Sequence, residues 1–347
     1  MCWGWASSSK TPKQLSNCFS KKINGDTVTF AVLFPGQGSQ SVGMLADLAE
    51  SHAPVKTTFD EAAEILKRDF WELSRQGPEA VLADTEVTQP LMFTAGVAVW
   101  RSLRSAGLPM PDAVAGHSLG EFAALVAADS LAFADGLMLV QQRAKLMARA
   151  VPAGEGGMAA LIGMQDEDVE KLCQSLSGER VVEAVNFNAP GQVAISGHVD
   201  ALERAIEKAK SLGCRKAMIL AVSVPNHSSL MRQAGEELAE TIDSMTFKEP
   251  QIPLLQNATA SAADSLQSML DCLKSHVYSP VQWTRTIARM RDDCGVTSLI
   301  EAGPGRVLTG LTKRIDRALP TVPVESSETL QKAIAATAAA DQETRST

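Results

Sequence analysis

The sequence of 347 residues lacks several features that would place it in a class at once. It contains no apolar run of the roughly 18 residues needed to cross a bilayer, so we expect a soluble protein without a membrane partner. Positive charge is also scarce, with 32 Lys and Arg against 40 Asp and Glu and a net charge of −8. Because nucleic-acid binders usually need a basic face, this balance argues against DNA or RNA as a partner.

Cysteine is sparse and scattered. The six cysteines contain no Cys-x-x-Cys pair, so their spacing suggests neither a zinc site nor a dithiol redox site, and we expect no bound metal. Disulfide frameworks are typical of small secreted domains rather than of a chain of this length. We therefore expect free thiols in a reducing compartment.

Residues 1–28 differ in composition from the rest of the chain. They contain several Lys, many Ser and Thr, no acidic residue before Asp26, and no continuous apolar segment. A secretory signal needs such a segment, so this class is excluded. Organelle transit peptides are usually rich in Arg, which is missing here, and we favour a disordered extension on a cytoplasmic protein. A plastid or mitochondrial transit peptide is the alternative.

The remaining chain has the pattern of an α/β fold. A buried-strand run ends at Phe34, a short strand at Ala113-Val-Ala115 precedes a helix over Glu121–Ala128, and a further helix spans Ala134–Ala150. This alternation predicts a mostly parallel sheet. After a Gly-rich break at 151–157, the order strand, helix, strand, strand, helix, strand predicts a ferredoxin-like unit, which we interpret as an insertion.

The predicted lobe boundaries follow the changes in composition and pattern. The extension covers 1–28, the α/β lobe covers 29–152 and 224–325, the small inserted lobe covers 153–223, and a C-terminal tail covers 326–347.

The clearest chemical signal is the segment Gly116-His117-Ser118-Leu119-Gly120. A Gly-x-Ser-x-Gly pattern after a strand and before a helix is typical of a nucleophile elbow, whose sharp turn exposes the serine hydroxyl. The next backbone N–H, at the helix N-terminus, can stabilise an oxyanion. The pattern therefore predicts Ser118 as a nucleophile.

A serine nucleophile needs a general base, and the sequence has five histidines. We expect His117 to point away from the neighbouring serine and His52 to lie at the surface. His198, His227 and His276 are the remaining candidates, and their spacing does not rank them.

Two other features are ambiguous when taken alone. The loop from Phe34 to Gln40 leaves the end of the first strand, where ligands bind in open α/β sheets. It has no Gly-Lys-Ser/Thr, so it does not predict nucleotide binding. Arg143, in a helix, is either a solvated cation or a planar group that binds a substrate carboxylate through two hydrogen bonds.

Taken together, these residues closely resemble the malonyl-CoA:acyl-carrier-protein transacylase family over about residues 29–320. The motifs that carry the resemblance stand in the family's order. They are Phe34-Pro-Gly-Gln-Gly-Ser-Gln40, Gly116-His-Ser-Leu-Gly-Glu121, Gln142-Arg143, Val185-Asn-Phe-Asn-Ala-Pro-Gly-Gln192, Val224-Pro-Asn-His227, Pro280-Val-Gln-Trp283 and Gly303-Pro-Gly305.

The resemblance implies a hydrolase-like α/β lobe with an inserted ferredoxin-like lobe. It implies transfer of the malonyl group from malonyl-CoA to the phosphopantetheine thiol of acyl-carrier protein, through a malonyl-serine ester, for fatty-acid synthesis. Ser118 would be the nucleophile and His227 the base, and the backbone N–H groups of Gln37 and Leu119 would form the oxyanion hole. No metal or redox cofactor is implied.

The resemblance also gives roles to residues around this centre. Arg143 would bind the malonyl carboxylate, and Met147 would line the acyl pocket. Asn186 and Asn188 would lie beside the path of the acyl group and the pantetheine. The backbone carbonyl of His276, which stands where relatives often carry Gln, would orient the base.

Carrier proteins are acidic, so an acidic enzyme needs local cations to dock one. Six candidates are Arg285, Arg289, Arg291, Lys313, Arg314 and Arg317. Ordinary solvated helix charges explain the same residues equally well. We expect the protein to be a monomer.

Three other functions stay open. A serine hydrolase, such as a thioesterase or lipase, shares the elbow and the base but usually places an Asp or Glu behind the histidine. A non-catalytic carrier-protein docking subunit would not need both Ser118 and His227. The same chemistry could also use another extender, such as methylmalonyl-CoA.

Overall fold

A computed structural model describes residues 29–343, so the predicted extension over 1–28 lies outside the described residues. The strands are β1 Phe30–Phe34, β2 Ala113–Gly116, β3 Gly156–Ile162, β4 Val182–Ala189, β5 Gln192–His198, β6 Lys216–Ile219, β7 Leu254–Leu255, β8 Ser298–Ala302 and β9 Thr321–Val324. The helices are α1 Ala46–Ser51, α2 Ala53–Leu66, α3 Phe70–Gln76, α4 Glu79–Leu82, α5 Thr85–Ser105, α6 Gly120–Ala127, α7 Phe133–Ala148, α8 Asp166–Leu176, α9 Val199–Ser211, α10 Arg232–Ser244, α11 Leu266–Ser275, α12 Trp283–Asp292, α13 Val307–Ile315 and α14 Ser327–Glu343.

Five strands form a parallel sheet in the order β7-β2-β1-β8-β9. Every residue of the central strand β1 is buried, which explains its uninterrupted apolar sequence. Strand β1 pairs in parallel with β2, so that Phe34 lies opposite Gly116. The loop after β1 and the turn after β2 therefore meet at one edge of the sheet, where ligands bind in folds of this type.

A second sheet is antiparallel, in the order β4-β5-β3-β6. The chain order β3-α8-β4-β5-α9-β6 together with this strand order is the ferredoxin-like arrangement. Helix α9 packs on the sheet through Ala201, Leu202 and Ala205, which follow helical spacing and join the core of this sheet. The predicted fold class, a parallel-sheet α/β lobe with a ferredoxin-like unit inserted in its sequence, is confirmed.

Some elements were not predicted from the sequence. Strand β7 has only two residues, which is too short for a periodic pattern. Strand β9 contains Pro323, which an edge strand tolerates because one side of it needs no ladder hydrogen bond. The strand predicted to run from Ala217 to Val222 ends at Ile219.

In the described part of the chain, no helix is both long and apolar enough to cross a membrane. Over the same residues, His, Cys, Asp and Glu side chains form no group that could hold a metal ion. The four described cysteines, Cys173, Cys214, Cys272 and Cys294, are free thiols.

Candidate active site

Ser118 lies on the sharp turn between β2 and α6. Its φ of 51° is in the left-handed region, which is costly for a residue with a Cβ. The glycines on either side make this turn possible. A Cβ on Gly116 would lie 1.8 Å from the carbonyl carbon of Gly120, and a Cβ on Gly120 would lie 2.1 Å from the carbonyl oxygen of Phe34. The turn is therefore pressed against the end of β1.

His227 contacts the serine directly. Its Nε2 lies 2.7 Å from the Oγ of Ser118. Its Nδ1 lies 3.1 Å from the carbonyl oxygen of His276 and 3.0 Å from that of Ser279. Because both carbonyls only accept hydrogen bonds, Nδ1 carries the proton of the neutral ring. The lone pair of Nε2 therefore faces the serine hydroxyl and can take its proton.

The surroundings of His227 keep its ring neutral. Burial, and next the positive charge of Arg143, lower the pKa of His227 to about 3. The ring is therefore in its basic form at neutral pH, as proton abstraction from a serine requires.

Arg143 projects from α7 to the same point. It is 2% exposed, and its Nη2 donates to the Oγ of Ser118 at 3.3 Å. Its Nη1 donates to the side-chain oxygen of Gln89, and its Nε has no partner. Burial lowers the pKa of Arg143 to about 9, which still leaves it charged at pH 7. A buried guanidinium that donates to a hydroxyl and an amide, with a donor to spare, is suited to bind an anion.

Ser118, His227 and Arg143 line one cavity between the two sheets. Of the residues singled out from the sequence, Gln37, Leu119, Asn186 and Asn188 also line it. Strand β4 of the antiparallel sheet contributes the two asparagines, whereas Gln37 and Leu119 follow strands β1 and β2 of the parallel sheet.

Met147 and His276 lie behind the cavity wall. Met147 stands one helical turn after Arg143, is buried, and contacts the amide of Gln89 with its sulfur at 3.7 Å. The ring of His276 is buried with no hydrogen bond to either nitrogen, and its Nε2 lies 3.7 Å from a carboxyl oxygen of Glu121. Burial lowers the pKa of His276 well below its usual value, so the ring is neutral.

His117 follows the expectation that it does not serve Ser118. Its Nε2 lies 2.7 Å from the side-chain oxygen of Asn188, and its ring packs against Trp283 with ring centres 5.3 Å apart. The ring thus forms part of the cavity wall. Asn186, which is 9% exposed, also lines the cavity, and its side-chain oxygen is buried without a hydrogen-bond partner.

The sequence did not predict a role at the site for a row of polar side chains on α5. Gln89 donates to Thr85 at 3.0 Å, and Thr85 donates to the side-chain oxygen of Gln37 at 3.4 Å. Gln89 also accepts from Arg143, so the row links two predicted site residues. The available signal was a polar pair at i, i+4 at the start of an otherwise apolar helix.

Two further residues missed from the sequence lie behind the serine. Asn257 follows β7, and Glu121 lies in the first turn of α6. Both are buried, at 3% and 1% exposed, and they hydrogen-bond each other. The signal for Glu121 was its position as the only acid in an apolar helix, whereas Asn257 had no local signal.

The predicted docking cations differ in their surroundings. Arg291 pairs with Asp292 and Asp316, both at 2.7 Å. Arg314 donates to the side chain of Gln192, which lines the cavity. Arg285, Lys313 and Arg317 are exposed, and Arg289 lies 3.9 Å from Asp293.

Comparison with known proteins places this chain in a family. The family model described as "Acyl transferase domain" matches residues 31–342. The malonyl CoA-acyl carrier protein transacylase of Salmonella typhimurium is 47% identical over 286 residues, or 82% of this chain and 92% of the relative. The chain belongs to the malonyl-CoA:acyl-carrier-protein transacylase family. A transacylase of this name from Bacillus subtilis is 41% identical over 305 residues, covering 88% of this chain and 96% of the relative.

Solved transacylase structures share the fold. One is a type II PKS acyl-carrier protein in complex with its malonyl-transacylase, with a TM-score of 0.87, 43% identity, and coverage of 89% of this chain and 99% of the other. Another is an acyl carrier protein S-malonyltransferase from Vibrio cholerae, with a TM-score of 0.85, 48% identity, and coverage of 88% and 99%. Membership of the transacylase family makes this protein an acyltransferase.

Proposed function

We propose that this acyltransferase moves the malonyl group from malonyl-CoA to the phosphopantetheine thiol of acyl-carrier protein, as a supply step for fatty-acid synthesis. The observation that carries the proposal is the placement of a buried, charged Arg143 within 3.3 Å of the Ser118 hydroxyl. A thioester whose acyl group ends in a carboxylate satisfies both groups at once, since the carbonyl meets the serine and the carboxylate meets the guanidinium.

The first step forms a malonyl-serine ester. Ser118 Oγ gives its proton to Nε2 of His227 and attacks the thioester carbonyl carbon. The resulting oxyanion accepts hydrogen bonds from the backbone N–H groups of Gln37 and Leu119, which border the cavity beside the serine. The carbon–sulfur bond then breaks, and the CoA sulfur leaves with the proton from Nε2.

The second step runs the same chemistry in reverse. The phosphopantetheine thiol gives its proton to Nε2 of His227, and its sulfur attacks the ester carbonyl. When the intermediate collapses, Ser118 Oγ leaves and recovers the proton. The two carbonyls at Nδ1 keep the ring in one tautomer throughout, which is the role we propose for the backbone of His276 and Ser279. Side chains and backbone groups supply all of this chemistry, so the scheme draws on no metal or redox cofactor.

Selectivity for malonyl rests on Arg143. Gln89 holds Nη1, which orients the planar group towards the serine. Met147 contacts Gln89 from the next turn of α7 and shapes the acyl end of the site from behind. Asn186 and Asn188 stand along the opposite wall, where their amides can meet the acyl group and the amides of pantetheine.

Transfer rather than hydrolysis is favoured by the partners of the base. Serine hydrolases usually place a carboxylate behind the histidine, whereas here Nδ1 faces the carbonyls of His276 and Ser279. Without that negative charge the ring is a weaker base. A thiol gives up its proton far more readily than water, so a weak base suits an acyl-enzyme that must wait for a thiol.

We further propose that the carrier protein docks along α12 and α13. Helix α13 lines the cavity through Val307, Leu308 and Leu311. Arg285, Lys313, Arg314 and Arg317 stand on these helices or just after them and would meet an acidic partner. Arg289 and Arg291 have carboxylates of their own nearby and contribute less. The lobe boundaries, the monomeric state and the cytoplasmic location stay predictions.

Mass spectrometry of the intact protein after a brief incubation with malonyl-CoA tests the proposal. A malonyl adduct that maps to Ser118, is missing in Ser118→Ala, and disappears when phosphopantetheinylated acyl-carrier protein is added is the expected result. An adduct with methylmalonyl-CoA but not with malonyl-CoA would point to a different extender. If no adduct forms with either thioester, the protein would instead be a non-catalytic docking subunit.

A further inference from the structure

One buried amide holds the nucleophile turn from behind. The side-chain oxygen of Asn257 accepts from the backbone N–H of Ser118 at 2.6 Å, and its Nδ2 donates to the carbonyl oxygen of Gly116 at 2.6 Å. These two backbone groups flank His117. A single side chain, 139 residues away in sequence from the nucleophile, therefore satisfies the polar backbone on both sides of the turn.

Glu121 in turn holds this amide. Its Oε2 accepts from the backbone N–H of Asn257 at 2.7 Å and also from Nδ2. The backbone carbonyl of Asn257 accepts from Gln282 at 2.9 Å, so the residue is held at both ends of its backbone. Flipping the amide would set its NH₂ against the N–H of Ser118 and its oxygen against a carboxylate and a carbonyl. The carboxylate therefore selects one orientation of the amide.

The turn needs such support because Ser118 has a φ of 51°. A strained backbone of this kind persists only where its surroundings hold it. A small relaxation would displace Oγ from Nε2 of His227, now at 2.7 Å, and from Nη2 of Arg143, at 3.3 Å. Misplacement of a reacting group by about 1 Å can lower a rate by about 100-fold.

We propose that Asn257, locked by Glu121, is a positioning residue that keeps the Ser118 hydroxyl aimed at its base. The inference deepens the proposed acyl transfer and rests on it. In this account Glu121 acts through Asn257, as an acceptor for two hydrogen bonds. Both hydrogen bonds need an acceptor oxygen and not a negative charge.

The test is a double-mutant cycle on the full chain, with malonyl transfer to acyl-carrier protein as the assay. Asn257→Ala should lower kcat by about 10- to 100-fold. The KM for malonyl-CoA should change by less than about threefold, because Arg143 and its partner Gln89 are untouched. Glu121→Ala should lower kcat as well. The double variant should be no slower than Asn257→Ala, since the two residues act as one unit.

Two further variants separate positioning from general loss of structure. Ser102→Ala removes another buried hydrogen bond, from Ser102 to the carbonyl of Ala98 in α5, and serves as the matched control with kcat unchanged. Glu121→Gln keeps an oxygen acceptor for Asn257 and should recover most of the kcat lost in Glu121→Ala. If Asn257→Ala does not fold, the comparison of Glu121→Ala with Glu121→Gln tests the inference instead.

Several results would overturn the inference. One is an unchanged kcat in folded Asn257→Ala, and another is a double variant whose loss equals the product of the single losses. A Glu121→Gln variant as slow as Glu121→Ala would show that the charge is what matters. Failure of the wild-type protein to transfer malonyl would instead reject the proposed function, so the two failures are distinguishable.

Discussion

A guanidinium nitrogen of Arg143 lies 3.3 Å from the hydroxyl oxygen of Ser118. The group proposed to bind the substrate carboxylate and the proposed nucleophile therefore lie side by side in one cavity. In the proposed reaction, the acyl carbonyl of the substrate meets Ser118 and its carboxylate meets Arg143.

Arg143→Ala should weaken the preference for malonyl-CoA over acetyl-CoA. Hydrogen bonds to charged groups contribute roughly 1.5–3 kcal/mol each. We therefore expect kcat/KM for malonyl-CoA to fall by about 10- to 1,000-fold and the ratio of acetyl-CoA to malonyl-CoA use to rise. Steady-state transfer with both thioesters measures this ratio. Arg143→Lys keeps a positive charge but loses the planar pair of donors. Its kcat/KM for malonyl-CoA should lie between those of the wild type and Arg143→Ala. An unchanged acyl preference in Arg143→Ala contradicts the assigned role.

The base should stay active well below the usual pKa of histidine. Burial and the charge of Arg143 lower the pKa of His227 to about 3, so the free enzyme keeps a neutral ring at acidic pH. We expect kcat/KM for malonyl-CoA to show no inflection near pH 6.5 over the range in which the protein stays folded. His227→Ala should lower kcat by about 100- to 10,000-fold. An inflection near pH 6.5 that His227→Ala removes is the contrary outcome.

Folding stability should fall as the pH drops below about 6.5. The pKa values of His117, His227 and His276 are all lowered in the folded protein, so the unfolded chain takes up their protons first. Each ring then costs up to about 1.4 kcal/mol of stability per pH unit. Burial raises the pKa of Glu121 to about 7 and also raises the pKa of Glu301, and both effects have the opposite sign and offset part of this loss.

His276→Gln tests this linkage. The variant keeps the backbone carbonyl that His227 contacts and removes one of the three rings. Urea unfolding at pH 7.5 and pH 5.5 should show a smaller loss of stability for the variant than for the wild type. The measurement at pH 7.5 is the internal control, because the rings are neutral there in both states. Equal losses in the two proteins refute the account.

The turn that exposes Ser118 was predictable because it depends on five consecutive residues. Gly116 and Gly120 are required by backbone contacts within the turn, so the pattern Gly-x-Ser-x-Gly already defines the geometry. The parallel sheet was predictable for a similar reason, since β1 and β2 are short apolar runs followed by glycine turns.

The partners of the nucleophile could not be predicted from local pattern. His227 lies 109 residues and Asn257 lies 139 residues from Ser118, and only tertiary packing brings them together. The spacing of the histidines did not show which of three was the general base. Only the family resemblance assigned this role to His227. Asn257 stands two residues after β7, a strand of only two residues, so neither the strand nor Asn257 had a signal in the sequence.

Charge reversal on α13 should weaken carrier docking. Lys313→Glu and Arg314→Glu should each raise the KM for acyl-carrier protein by about two- to tenfold with little change in the KM for malonyl-CoA. The effect should shrink at high salt, because exposed charges are screened. Lys248→Glu, which reverses an exposed cation outside this surface, is the matched control. Equal changes in both KM values reject this docking surface.

The fate of the malonyl-serine ester tests the central claim most directly. The ester is formed with one equivalent of malonyl-CoA, and its decay is timed by mass spectrometry in buffer and with phosphopantetheinylated acyl-carrier protein. The account predicts an ester on Ser118 that persists in water and is discharged at least about 100-fold faster by the carrier thiol, since the thiol rather than water suits the carbonyl-oriented base. Hydrolysis of the ester in buffer as fast as its transfer to the carrier thiol would contradict the account.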